Sequence, residues 1–239
     1  MKLTTNDIEK LRTALAAAKV ISSDVAVIGD GKILGVNAQK DAAIMSELQL
    51  SIPVEAKIGI GRLQELDKRL ALFGESLEAE LKQNDRGDVI SITLMSGRSK
   101  MQFRCTSLNM LEKKYPKQNE DTPVVIVTLL KNEISQVSRA AKTLGAETIV
   151  IKVASSGAVH IECVDSNNDQ FVINPEKQAE FVDEADTVVF VYNADRLTSL
   201  LDAGSKDYDE MALVIGEYGS LTGIIKGHSL IIMPQATGE

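Results

Sequence analysis

Tryptophan is absent, and aromatic residues make up only 4 % of the 239 positions, with none interleaved among the lysines and arginines of the predicted helices. Without such rings there is no platform on which the bases of a single strand could stack. Cysteine occurs only twice, at Cys105 and Cys163, inside alternating strands in different halves of the chain. Two reduced thiols, not a disulfide framework, are the expectation. The two histidines, His160 and His228, have no second ligand at a metal-binding spacing, so no metal site is expected. No apolar run approaches the roughly 18 residues of a membrane span, and the opening MKLTTNDIEKL lacks the apolar core of a signal peptide. A soluble, cytoplasmic protein without membrane contact is therefore expected.

The usual signatures of catalysis are missing too. There is no GxSxG, HExxH or P-loop. Gly29-Asp30-Gly31 falls between two strands, whereas a phosphate cradle needs a helix to follow it. No catalytic residue and no cofactor are expected, and the protein is read as a non-enzyme. Positive charge is also in the minority, with 26 basic against 34 acidic residues and a net charge of −8. That excludes adhesion to nucleic acid over the whole surface, but it does not fix where the positive residues sit.

What the sequence does contain is a repeat. The stretch from Thr122 to Gly157 reads as a strand, an amphipathic helix and a returning strand that turns at Ser155-Ser156-Gly157, and Met1 to Gly31 follows the same plan. Asp7-Ile8-Glu9 and Glu133-Ile134-Ser135 open the two helices in the same phase. A second pair of segments shares the pattern RLxxL, at Arg62 to Leu66 and Arg196 to Leu200. The offsets are 126 residues for Ile8 to Ile134 and 134 for Leu63 to Leu197. Two matches in one order point to a duplicated module, and repeats decide architecture.

In chain order, Asn6 is the expected cap of the first helix, with Ile8, Leu11, Leu15 and Ala18 forming its apolar stripe. Period-two strands follow, the last of them Ser51 to Ile58, then a helix from about Ile60 to Phe73 that buries Leu63, Leu66, Leu70 and Phe73. The meander after it turns at Asn84 to Gly87, so Arg86-Gly87-Asp88 is read as a hairpin turn and not as an adhesion signal. Residues 113–122, polar and with Pro116 inside, make a linker between domains at 1–112 and 123–239. In the second half a helix from Lys131 to Leu144 and a short one from Asn193 to about Leu201 are expected among further hairpin strands. The fold class is α+β: two similar domains, each with two helices packed on antiparallel sheets.

Charge is unevenly divided between these elements. The basic residues on or beside the helices are Lys10, Arg12, Lys19, Arg62, Lys68, Arg69, Lys131, Arg139, Lys142 and Arg196. The four helices together carry +3, which leaves −11 for the strands and loops. Helices sharing one side of a molecule would therefore attract a polyanion, through phosphates and without regard to sequence.

On this plan the chain resembles the DNA sliding clamps, the processivity factors of DNA polymerases. The nearer likeness is to the two-domain type of T-even bacteriophages and of proliferating cell nuclear antigen (PCNA). It rests on the twofold repeat, the opening MKLTTNDIEKLRTALAAAK, the linker around Tyr115-Pro116 and the final strand SLIIMP. The resemblance implies the DNA-clamp fold and a homotrimeric ring closed head to tail. Its implied partners are double-stranded DNA inside the ring, and a DNA polymerase and a clamp loader on its outer face. The ten basic residues would then face DNA, and subunits would pair through edge strands near Lys100 to Thr106 and Gln170 to Ile173. Leu111, Tyr115, Ile232, Met233 and Pro234 would receive partner tails. The alternative is a duplicated α+β structural or interaction protein, such as a phage particle component, that does not encircle DNA.

Overall fold

The computed structural model describes residues 2–21, 25–29, 31–48, 50, 57–73, 77–111, 121–182 and 186–235. The chain divides into two compact units, residues 1–117 and 118–239.

The first unit runs β1 (Lys2–Leu3), α1 (Thr5–Val20), β2 (Val25–Gly29), β3 (Lys32–Val36), β4 (Ala42–Glu47), β5 (Ile58–Ile60) and α2 (Leu63–Leu70). It continues with β6 (Leu77–Gln83), β7 (Val89–Ser96), β8 (Ser99–Arg104) and a single turn, α3 (Leu108–Leu111). Its strands pair antiparallel in two groups, β5-β2-β3-β4 and β1-β6-β7-β8. Most of the expected strand Ser51 to Ile58 lies outside the described residues, and β5 takes up its end.

The second unit repeats the plan. It contains β9 (Pro123–Leu130), α4 (Lys131–Leu144), β10 (Thr148–Val153), β11 (Val159–Val164), β12 (Gln170–Ile173), β13 (Glu180–Phe181) and β14 (Val188–Asn193). Then come α5 (Ala194–Asp207), β15 (Glu210–Gly216), β16 (Leu221–Ile225) and β17 (His228–Ile232). The groups are β14-β10-β11-β12 and β9-β15-β16-β17, with β13 added beside β9. Strand for strand this is the order of the first unit, so the repeat seen in the helices extends to the sheets.

The helices form where apolar residues recur at helical spacing. Ile8, Leu11, Leu15 and Ala18 are buried along α1, Leu63, Leu66 and Leu70 along α2, and Ile134, Val137 and Ala141 along α4. At the start of α1 the cap is Thr4, not Asn6. The Asp7 carboxylate accepts the Thr4 backbone N–H at 2.9 Å and its hydroxyl at 2.7 Å, while the Asp7 N–H donates to Thr4 Oγ1 at 3.2 Å. Thr4 wins because the buried Asp7 stands three residues after it, whereas the corresponding position for Asn6 is the exposed Glu9. Glu133 stands at the same place in α4 and accepts the N–H groups of Leu130 and Glu176, each at 2.7 Å.

The last helix is longer than expected, reaching Asp207. Gly204 is a poor helix former by propensity, but it packs where a Cβ would lie 2.5 Å from Met211 Sδ. Close helix-to-strand approach thus outweighs propensity. A tighter approach occurs at Gly59 of β5, where a Cβ would collide with the Thr106 carbonyl oxygen and stand 2.8 Å from Leu111 Cδ1. Gly59→Ala should cost about 1–3 kcal/mol of stability in chemical unfolding, because the opposing atom is backbone and cannot rotate aside; an unchanged midpoint would contradict this packing.

Candidate nucleic-acid interface

Because each helix buries one stripe, its cations project from the remaining surface. Lys10, Arg12, Lys68, Lys131, Arg139 and Lys142 are exposed, Arg62 is exposed at the cap of α2, and Lys19, Arg69 and Arg196 are half-buried. At least six of the ten are engaged by carboxylates among the described residues. Asp67 on α2 receives Arg12 Nε at 3.1 Å and Lys19 Nζ at 2.6 Å, both from α1. Glu65 pairs with Arg62 at 2.9 Å and Arg69 at 3.3 Å. Both of these guanidinium groups also lie 5.3 Å from the ring centre of the buried Phe103, a cation–π distance. In the second unit Lys142 Nζ reaches Asp202 on α5 at 2.6 Å, and Lys131 is 3.6 Å from Asp209. Lys68 and Arg139 are exposed and make no ion pair among the described residues.

Burial alone would raise the Asp67 carboxyl, but hydrogen bonds and charge from Lys19 and Arg12 more than offset it, and its pKa falls below 3.8. Burial likewise opposes and Lys142 outweighs at Asp202, which is also lowered. The thiols behave differently: burial pushes Cys105 and Cys163 up to about 11, so neither is a nucleophile at neutral pH. Burial also lowers the His228 pKa. Among the described residues no three His, Cys, Asp or Glu side chains gather as a metal site, and no helix is long and apolar enough to cross a membrane.

Two further features lie away from the helix faces. Among the described residues strand β8 pairs only on its β7 side and β12 only on its β11 side, so each ends a sheet there. On β12, Phe171 and Val172 are exposed at that edge. In the second unit an apolar surface surrounds the turn at Gly219. A Cβ there would stand 2.6 Å from Phe190 Cδ1 and 3.0 Å from Pro234 Cγ. Asp121 fixes this turn by accepting the N–H groups of Tyr218 at 2.8 Å and Ser220 at 2.9 Å. Tyr218 is left 74 % exposed at its tip, and the Gln235 N–H bonds to the Val191 carbonyl at 2.8 Å, drawing the end of the chain along β14.

No family model matches the sequence, and no curated protein matches it. Solved structures do. One, from the PCNA2–PCNA3 complex of Sulfolobus tokodaii, has 17 % identity and a TM-score of 0.65 over 99 % of this chain and 100 % of its own. The PCNA of A. fulgidus, bound to the C-terminal region of FEN-1, has 14 % identity and a TM-score of 0.67, covering 100 % and 99 %. The beta chain of DNA polymerase III from Streptococcus pneumoniae gives a TM-score of 0.71 at 15 % identity, but this chain spans only 64 % of its length. The chain has the DNA sliding-clamp fold.

Within the clamp fold the expected partner residues divide. Leu111 is 2 % exposed and Ile232 fully buried, so neither offers a side chain to a partner: Leu111 packs under Gly59, and Ile232 sits opposite Leu221 on β16. Met233 is exposed and Pro234 half-buried, while Tyr115 lies outside the described residues. Phe190 and Tyr218 join Pro234 at the Gly219 turn and were not anticipated. An exposed tyrosine before a turn glycine, in Glu217-Tyr218-Gly219, was the available signal.

The Asp67 pairs carry a pH signature. A carboxyl whose folded pKa is depressed adds stability above its unfolded pKa and loses it as pH falls through the folded value. Asp67→Asn should therefore lower unfolding free energy at neutral pH by less than about 1 kcal/mol, since its cations are partly exposed. The gap to the unsubstituted protein should narrow as pH falls through the lowered Asp67 value, measured by chemical denaturation across pH; a gap that stays the same throughout the acid range would mean that charge is not its source.

Proposed function

We propose that this protein is a sliding clamp: three copies close head to tail around duplex DNA and tether a replicative DNA polymerase for processive synthesis. The observation that carries the reading is whole-chain likeness in both directions, 99 % of this chain on 100 % of a PCNA chain. The cation-bearing helices support it, since a lining needs positive charge without base readout. Six units make the ring, two from each copy. The unpaired edges β8 and β12 are the surfaces proposed to join neighbouring copies, which would also cover exposed Phe171 and Val172.

Retention on DNA then follows from closure more than from affinity. A ring leaves duplex only by opening or by reaching an end, and phosphate contacts let it slide. A polymerase bound to it stays at high effective concentration near the primer end. Polymerase and clamp-loader tails are proposed to dock on the outer face, at the surface formed by Tyr218, Phe190, Pro234 and Met233. The clamp likened to this chain from A. fulgidus is bound to the C-terminal region of a partner, FEN-1.

Sedimentation should give about 78 kDa, three times the 25.9 kDa chain, at concentrations that favour assembly; a dimer persisting at high concentration would sink the trimeric ring. Lys68→Glu combined with Arg139→Glu and Lys142→Glu should leave assembly intact and reduce polymerase stimulation on primed circular DNA at least about tenfold, because the two cations without an ion pair among the described residues become anions and the field of the helix faces turns from positive to negative. A duplicated structural protein predicts no such loss, and full stimulation would exclude the lining.

A further inference from the structure

The two units hold their helix cations in the same way with residues that are not counterparts. In each, an aspartate on the second helix takes a lysine from the first at 2.6 Å: Lys19 to Asp67 and Lys142 to Asp202. By the offset of 126 that aligns Ile8 with Ile134, Lys142 corresponds to Ala16 and not to Lys19. By the offset of 134 that aligns Leu63 with Leu197, Asp202 corresponds to Lys68 and not to Asp67. A copied module would have given matched positions. The arrangement therefore occurs twice from different residues, which points to a requirement of the surface and not to inheritance.

We infer that Asp67 and Asp202 act as internal counter-anions, holding Arg12, Lys19 and Lys142 back from DNA phosphates so that the lining attracts duplex only weakly. The inference rests on the clamp reading and deepens it. A lysine already on a carboxylate gains little by moving to a phosphate, because one ion pair replaces another. Departure of both Arg12 and Lys19 would also leave the Asp67 carboxylate, whose side chain is only 18 % exposed, without a cation, and loss of the single lysine would do the same at Asp202. Lys68 and Arg139 face no such loss and remain available for phosphate. The pairs thus set a low ceiling on affinity while leaving the sign of the surface positive, which suits a ring that must move along DNA.

The test uses the full chain, a fluorescent linear duplex with free ends, and anisotropy titrations from about 20 to 200 mM salt, a range over which phosphate contacts weaken steeply. Asp67→Asn with Asp202→Asn should tighten binding at the lowest salt at least about tenfold. It should also steepen the dependence of log K on log salt by about 0.9 for each cation recruited, up to about three per chain. Adding Lys19→Gln and Lys142→Gln to that variant should return most of the slope, which a purely structural role for the aspartates would not do. Should the double variant melt below the assay temperature, Asp202→Asn alone, at the more exposed pair, carries the test with about one recruited cation per chain. A folded aspartate variant that binds no more tightly and with unchanged slope overturns the inference. If Lys68→Glu with Arg139→Glu abolishes binding while the aspartate variants match the unsubstituted protein, the inference fails and the clamp reading stands. If the unsubstituted protein shows no salt-dependent binding at all, the clamp lining fails and the inference falls with it.

Discussion

Burial of one apolar stripe per helix against antiparallel strands is the constraint on which the other features depend. Once Ile8, Leu11 and Leu15 are fixed in the core of one unit, and Ile134 and Val137 in the other, each helix has a single surface left for charge. The exposed cations are then left to the surface that the stripes do not occupy, in both units, while Arg62 and Arg69 reach over Phe103 of β8. The same burial brings α1 beside α2 and α4 beside α5, and that proximity is what lets an aspartate on one helix reach a lysine on the other. Charge placement in this chain is a consequence of packing.

Much of this was legible in the sequence because the relevant signals are local and periodic. The bounds of α4 follow from a strong apolar period between a strand and the left-handed Gly145. The repeat was visible because it keeps chain order. What could not be read is what depends on neighbours distant in sequence. The Arg12, Lys19 and Lys142 pairs join residues 55, 48 and 60 positions apart, so a sum of charges over each helix counted these cations as available. Leu111 and Ile232 look suited to a partner, being apolar residues near segment ends, but which end lies under a neighbouring strand is decided by tertiary packing. The extent of α5 depends on Met211 and Ile225, on two strands, accepting a helix without a side chain at Gly204, which is a fact of tertiary packing.

Pairing a cation does not erase it. The Asp67 cluster joins two positive groups to one negative group, so its field stays positive at a distance while its contacts are satisfied nearby. Glu65 and Phe103 do the same for Arg62 and Arg69, and the ring adds an attraction that needs no further acid. A surface of this kind attracts a polyanion over a Debye length of about 10 Å while its paired cations are already partly neutralised by a neighbouring carboxylate.

That separation between field and contact bears on how a net charge of −8 can suit a protein proposed to surround DNA. A uniformly basic protein would bind duplex anywhere on its surface, and strong contacts would fix it in place. In the proposed ring, negative charge in the strands and loops would repel DNA from the exterior, and paired cations on the helices would keep the interior attraction shallow. Persistence on DNA would then be left to closure of the proposed ring, through edge strands and not through electrostatics. Tight association and free movement oppose each other only when both draw on the same contacts. In the proposed ring they are assigned to different elements of the fold.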